Sequence, residues 1–488
     1  MSWSVFDSVG RRTTIPQLAV RAFPAVALLG ALAAVSPIEA TWTTPANVPT
    51  GASGNAVDAR VGLACNGDAA VSWKSSNSVV WVATRRAGNW DSQGFGTGNS
   101  PELEMNSRGD LVLAWRKSSS TFCAAFRRAG GAWETERCFP GSFGSYRPSI
   151  ALNEAGAAIV AWIDDPAGFS DDAVASVRTA SATSWPDAET AATDITYSSN
   201  YIAVASALDQ SGNAIVGWMD TYGLYNTTAG ITGGLSGVRT RSRSAAGAWG
   251  AVSAVTSRPP VDPFSPGAVP NFTTPTLAAD PASGALIATF PGSTDYLMLD
   301  ALGNGDDWTP DYSSNRAWVA LGSVTGGLGA PSEHGGGRIG LIEAAGAPGR
   351  FALAGYLGSP IPNGSGADAV AGVNSSGSAP VLNTLGPPVF SGVTLAQAVD
   401  VGPTGTAAAM LNGEVWVAHN GGGFAGPDNP LPTREVSDVA VNCIGEIFAA
   451  GATAGSVDEE VRFTEELSAR VFEDGFESGL GPWSAVVP

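Results

Sequence analysis

Lysine and histidine are nearly missing from this chain of 488 residues: Lys74, Lys117, His334 and His419 are the full complement. With 25 basic against 44 acidic residues the net charge is −19 at pH 7, which argues against electrostatic binding to nucleic acid or to an anionic membrane. Two histidines nearly exclude histidine-based catalysis, and no G-x-S-x-G elbow, P-loop or H-E-x-x-H occurs. Charged residues make up only 14%, while Gly 62 and Pro 32 are abundant, a mixture that disfavours long helices and coiled coils. Long apolar runs are absent as well. The one candidate, Ala22 to Val35, is too short to span a bilayer. It follows Arg11, Arg12 and Arg21 and ends in Ser36-Pro37-Ile38-Glu39-Ala40, which predicts an export signal over residues 1–40. The mature chain is therefore expected outside the cytoplasm, secreted or on the outer cell surface. Four cysteines, Cys65, Cys123, Cys138 and Cys443, fit such an oxidising compartment. None forms a C-x-x-C pair, so zinc has no support.

A hydrophobic content of 44% is enough for a core, and a repeat organises it. The segments Ser100-PELEMNSRGDLVLAW-115, Arg147-PSIALNEAGAAIVAW-162 and Ile202-AVASALDQSGNAIVGW-218 share one pattern. Each is an alternating strand, an Asn/Asp-x-x-Gly turn, and a more apolar strand ending in Trp. A second hairpin follows, as in Val80-WVATRRAGNW-90 and Phe122-CAAFRRAGGAW-133. The turn glycines are Gly67, Gly109, Gly156, Gly212, Gly284, Gly349, Gly405 and Gly445, at intervals bracketing those of propeller repeats. The expected fold is all-β: a closed β-propeller of eight four-stranded blades, with seven as the alternative, over residues 41–466. Strand 42–48 should complete the last blade by pairing near 459–465, which protects the sheet edges.

Residues 41–466 resemble the β-propeller repeat proteins that bacteria secrete. The turn before each Trp, as in Arg86-Ala87-Gly88-Asn89-Trp90, is similar to a worn Asp-box of sialidase-type propellers. Its Asp and Thr are missing, so the resemblance does not imply sialidase activity. After an acidic linker, Val471-FEDGFESGLGPWSAVVP-488 resembles the short tails ending many secreted Gram-negative proteins, which implies a role for 467–488 in export or surface sorting.

The Trp ladder, Trp73, Trp115, Trp162 and Trp218, ends the most apolar strands and is expected in the core. Arg85, Arg86, Arg127, Arg128, Arg178, Arg239, Arg241 and Arg243 recur on third strands and are expected as solvated charges. His419 is expected in a strand and His334 in a loop. Cys123 and Cys138 flank a hairpin and should form a disulfide, because opposed residues in a non-hydrogen-bonded pair come close enough. Cys65 and Cys443 occupy equivalent turn positions and would staple the first blade to the last.

In a four-stranded blade the A–B and C–D turns share one end of the ring, and the longer B–C and D–A connections share the other. The longer connections are the expected binding face. They carry the candidate ligand-binding residues Asp164, Asp165, Asp171, Asp172, Asp220, Tyr222, Tyr225, Tyr146 and Phe264, with the best pocket expected over blades three and four. Acidic stretches at 164–172 and 300–311 offer oxygens that Ca²⁺ could use, although no other cofactor is expected. The reading is a monomeric binding or scaffold propeller for a glycan or an extracellular protein, and the alternative is a polysaccharide-active hydrolase or lyase.

Overall fold

The computed structural model describes residues 42–43, 46–48, 56–141, 147–164, 170–196, 204–226, 232–256, 268–272, 275–299, 306–309, 316–336, 339–358, 368–385, 397–411, 413–428, 431, 435–452 and 462–466. The expected export signal and C-terminal tail lie outside them. The described residues contain no helix. They form a β-propeller of seven four-stranded blades and one larger, seven-stranded sheet.

Numbered along the chain, the sheets have the innermost strands Ala56–Leu63, Asn99–Met105, Ser149–Leu152, Val204–Leu208, Thr276–Ala279, Ile339–Ala347, Gln397–Val401 and Glu435–Val441. Each inner strand packs on the inner strand of the next sheet, and that of sheet eight packs on that of sheet one. In sheet eight Ala46–Asn47 supplies the fourth strand, with Ala46 opposite Phe463 and Asn47 opposite Arg462. Trp42 joins the same region. It packs partly buried between sheets seven and eight and donates its Nε1–H to Asp428 at 3.2 Å.

Alternation explains the core. Each strand turns one set of side chains toward the preceding sheet and the other toward the following sheet, so both faces must be apolar. Between sheets two and three, for example, Val112, Phe122, Phe126 and Phe139 meet Val160, Trp162 and Trp185. Trp73 lies in the corresponding layer between sheets one and eight, against Phe448. Trp73, Trp115, Trp162 and Trp218 are all at most 3% exposed, as expected.

All eight turn glycines have φ between 70 and 90°, the left-handed region that a side chain disfavours. These turns also bond to one another. Asn106 donates from Nδ2 to the Asn153 carbonyl at 3.0 Å, and Asn153 donates to that of Asp209 at 2.7 Å. Asn442 of sheet eight donates to Ala64 of sheet one at 3.3 Å. The turn Asn is thus an inter-sheet connector, forming a partial collar at one end of the ring, from sheet two to sheet four and from sheet eight to sheet one. Where sheet one has Ala64 instead, the neighbouring Cys65 is disulfide-bonded to Cys443, with their Cα atoms 5.2 Å apart. The second disulfide joins Cys123 and Cys138, which are directly opposed and 4.0 Å apart at Cα.

Two expectations need correction. The third-strand arginines are not all solvated: Arg127, Arg178 and Arg243 are 8%, 0% and 8% exposed. Each reaches back to the preceding sheet, Arg127 to Thr84 at 2.8 Å, Arg178 to Glu134 at 2.9 Å and Arg243 to Glu189 at 2.6 Å. The Arg178 guanidinium also lies over the Phe126 ring, 3.4 Å from its centroid. The neighbouring sheet covers what looks in sequence like a turn-side surface. The histidines exchange roles: His334 lies in strand Ser332–Gly336, whereas His419 is exposed just beyond strand Glu414–Ala418.

Candidate functional site

The end of the ring opposite the collar is irregular. Asp220, Tyr222 and Tyr225, expected on a longer connection, lie instead in a hairpin of strands Ala214–Asn226 and Thr232–Arg243. Asp220 pairs with Gly237 and Tyr225 with Gly233, and the register shifts between Thr221 and Leu224, where Tyr222 lies. The described part of the inner strand begins at Val204, opposite Trp218, and the hairpin of the next two strands runs on beyond Met219. Sheet five does the same. Its strand Ala285–Leu299 outruns its inner partner and is flanked by Ala268–Phe272 and Asp306–Thr309. Part of the acidic stretch at 300–311 is therefore strand. Strand Ala268–Phe272 also packs on Thr232–Arg243, so sheets four and five raise one joint extension.

Asp164 and Asp172 are opposed at the same end of sheet three, and Asp171 is fully buried beside them. The backbone thus gathers Asp164, Asp171, Asp172, Asp220, Tyr222 and Tyr225 at one end of three consecutive sheets. Asp165, Tyr146 and Phe264 lie outside the described residues, as do most of the two acidic stretches considered for Ca²⁺. Among the described residues, the close group of metal-ligand types is Cys123, Glu136 and Cys138, whose sulfurs are already joined to each other.

The described cavity lies elsewhere. It occupies the central channel at the collar end, encloses about 420 Å³, and is walled by all eight inner strands. The wall is polar and apolar in about equal measure, with Glu104, Glu154 and Asp400 among its residues and no basic residue. The pocket expectation named the opposite face, whose longer connections are in part outside the described residues.

The channel carboxylates have a structural cause. An inner strand pairs on one side only, so its other edge would expose amides to the lumen. Side chains from the preceding sheet accept those hydrogens: Asp438 from Val61 N–H at 2.9 Å, Asp400 from Val441 N–H at 2.7 Å, and Ser149 Oγ from Ser206 N–H at 2.9 Å. Glu104 takes the Leu152 amide in the same way. Further along the lumen Arg60 pairs with Glu102 at 2.9 Å, and Arg147 bridges Glu102 at 3.0 Å and Asp58 at 2.9 Å. Glu102 in turn pushes the Arg60 guanidinium still further above its ordinary pKa.

Although these acids touch the lumen, protein surrounds them, and loss of solvation raises their pKa values. Burial pushes Glu104 up to about 8, against its Leu152 hydrogen bond. Glu343 and Asp400 are pushed to about 7, and Asp438 to about 6, again chiefly by burial. The sequence reading missed this group. Its signal was acidic residues at alternate positions of inner strands, as in Glu102-Leu103-Glu104.

No protein-family model matches the chain, and no curated protein matches it in sequence. Solved structures similar in fold include an α-L-arabinofuranosidase of Fusarium graminearum, 9% identical, covering 87% of this chain and 97% of its own, with a TM-score of 0.37. The Aleuria aurantia lectin is 9% identical over 70% of this chain and all of its own, at 0.34. A polysaccharide lyase, ulvan lyase, is 10% identical over 86% of this chain and 94% of its own, at 0.39. Likeness this distant transfers no activity.

Proposed function

We propose that this chain is a non-catalytic binding or scaffold propeller of the cell exterior, recognising a glycan or an extracellular protein through the end opposite the collar. One observation carries the reading: sheets four and five raise a joint extension there, beside the Asp164–Asp172 pair of sheet three. Regular sheets supply a rigid base, and binding residues concentrate on the departures from such a base. Aromatic and carboxylate side chains at Tyr222, Tyr225 and Asp220 suit sugar hydroxyls or a bound Ca²⁺. The expected export signal and the two disulfides fit an exterior location.

A hydrolase or lyase is the second reading. It is favoured by Glu104, which keeps its proton near neutral pH as a general acid must, with Asp400 close enough to repel it. The partners already held by Asp400 and Asp438 favour a structural role for these acids. A glycan array read alongside reducing-sugar release separates the two. Binding without release, reduced at least tenfold by Asp220→Ala or Tyr222→Ala, is the expected result. Release that Glu104→Gln abolishes would replace the binding reading with the catalytic one.

A further inference from the structure

The free edge of the inner strands caps its donors and leaves its acceptors. In an antiparallel ladder a residue turns its N–H and its C=O to the same side. Val61, Ser206 and Val441 give their N–H to side chains of the preceding sheet at 2.9, 2.9 and 2.7 Å, so their carbonyls turn to the same free edge. All three residues line the collar-end cavity of about 420 Å³. Among the described residues no side chain donates to those carbonyls. The carboxylates of the wall add to this surplus of acceptors. Asp400 holds two amides, that of Val401 at 2.8 Å on one oxygen and that of Val441 at 2.7 Å on the other. Glu154 holds the Ser107 amide at 3.2 Å and the Ser107 hydroxyl, and Glu104 holds the Leu152 amide. These donors are neutral, the carboxylate oxygens keep further lone pairs, and no basic residue lines the cavity.

Placement decides what kind of cation fits. Asp400 enters from sheet seven, whereas Glu104 and Glu154 enter from sheets two and three, across the ring of eight. Among the described residues no three carboxylates bring oxygens within 4.8 Å of one another, so a single metal ion has no ligand set here. The same wall carries Leu63, Leu103, Leu208 and Leu277, which suit methylene groups. The volume is that of a small-molecule site.

We infer that the collar end of the channel binds a linear organic polycation, an alkyl di- or polyamine, whose ammonium groups meet Asp400 on one side and Glu104 and Glu154 on the other while its methylenes lie on the leucines. This holds whichever ligand the opposite end takes.

The test is calorimetric titration of the intact, oxidised protein with spermidine at about pH 8.5 and about 0.15 M NaCl, which screens exposed charge. That pH lies above the folded values of Asp400, about 7, and Glu104, about 8, and below the roughly 10 of alkyl amines. The site predicts one equivalent bound, at least about tenfold more tightly than butylamine with its single ammonium, and at least about tenfold more weakly after Asp400→Asn. Asp187→Asn makes the same change of charge at an acid that is 90% exposed and outside the cavity wall, and should leave binding unchanged. Should Asp400→Asn not fold, carbodiimide coupling of spermidine to the unsubstituted protein supplies the readout by peptide mass mapping: amides must form at Asp400, Glu104 or Glu154 ahead of exposed acids such as Asp187. Absence of saturable binding, butylamine or Ca²⁺ binding as tightly as spermidine, equal weakening by Asp187→Asn, or coupling confined to exposed acids would overturn the inference.

Discussion

The two ends of the ring obey different constraints. At the collar end the turns are short, glycine-based and tied sheet to sheet through Asn106, Asn153, Asn442 and the Cys65–Cys443 bond. At the other end sheets four and five lengthen their strands, each by its own amount, and join in an extension that has no counterpart among the described residues of the other sheets. The contrast teaches that the repeat encodes a scaffold, and that individuality enters where no neighbour imposes a register. Turn side chains that bond to the next turn cannot vary singly. Strands that outrun their partners can.

Substitutions that break the collar should cost most. Glu134→Ala leaves the fully buried Arg178 without its ionic partner and should destabilise by about 3–5 kcal/mol in denaturant unfolding. Replacing Cys65 and Cys443 together by Ser frees a loop of 378 residues and should cost about 2–5 kcal/mol, read as a lower melting temperature than that of the oxidised parent. Asn153→Ala removes a buried inter-sheet donor and should cost about 1–3 kcal/mol. The opposite end should barely register: replacing residues 222–235 by an Asn-Gly turn after Thr221 should change stability by less than about 0.5 kcal/mol, because the ring does not rest on the extension. A large loss from that trimming would erase the distinction between the ends.

Much of the scaffold is written locally. A left-handed glycine after Asn-x-x, a Trp closing the next strand, and cysteines flanking a hairpin all declare themselves within a few residues, and Gly349, which no Asn precedes at that spacing, is left-handed all the same. Other features depend on what lies across an interface. Arg178 sits beside a turn in sequence, yet sheet two covers it completely. Glu104, Asp400 and Asp438 look like ordinary solvent positions of alternating strands. Only the ring turns that edge inward and gives the carboxylates amides to accept. Residues 220–226 and 232–234 lack the apolar alternation of the other strands, so their pairing was not legible from sequence; it continues a hairpin already begun by Ala214–Met219.

The central claim is that the inner edge of the ring is a bonded surface, although no strand pairs with it. Amide hydrogen exchange on the native protein tests this directly at Val61, Ser206 and Val441, whose hydrogens go to Asp438, Ser149 and Asp400 of the preceding sheets. The account predicts that these edge amides exchange as slowly as ladder amides of the same sheets, near the rate of global unfolding. Exchange at these positions approaching that of unprotected amides would contradict it.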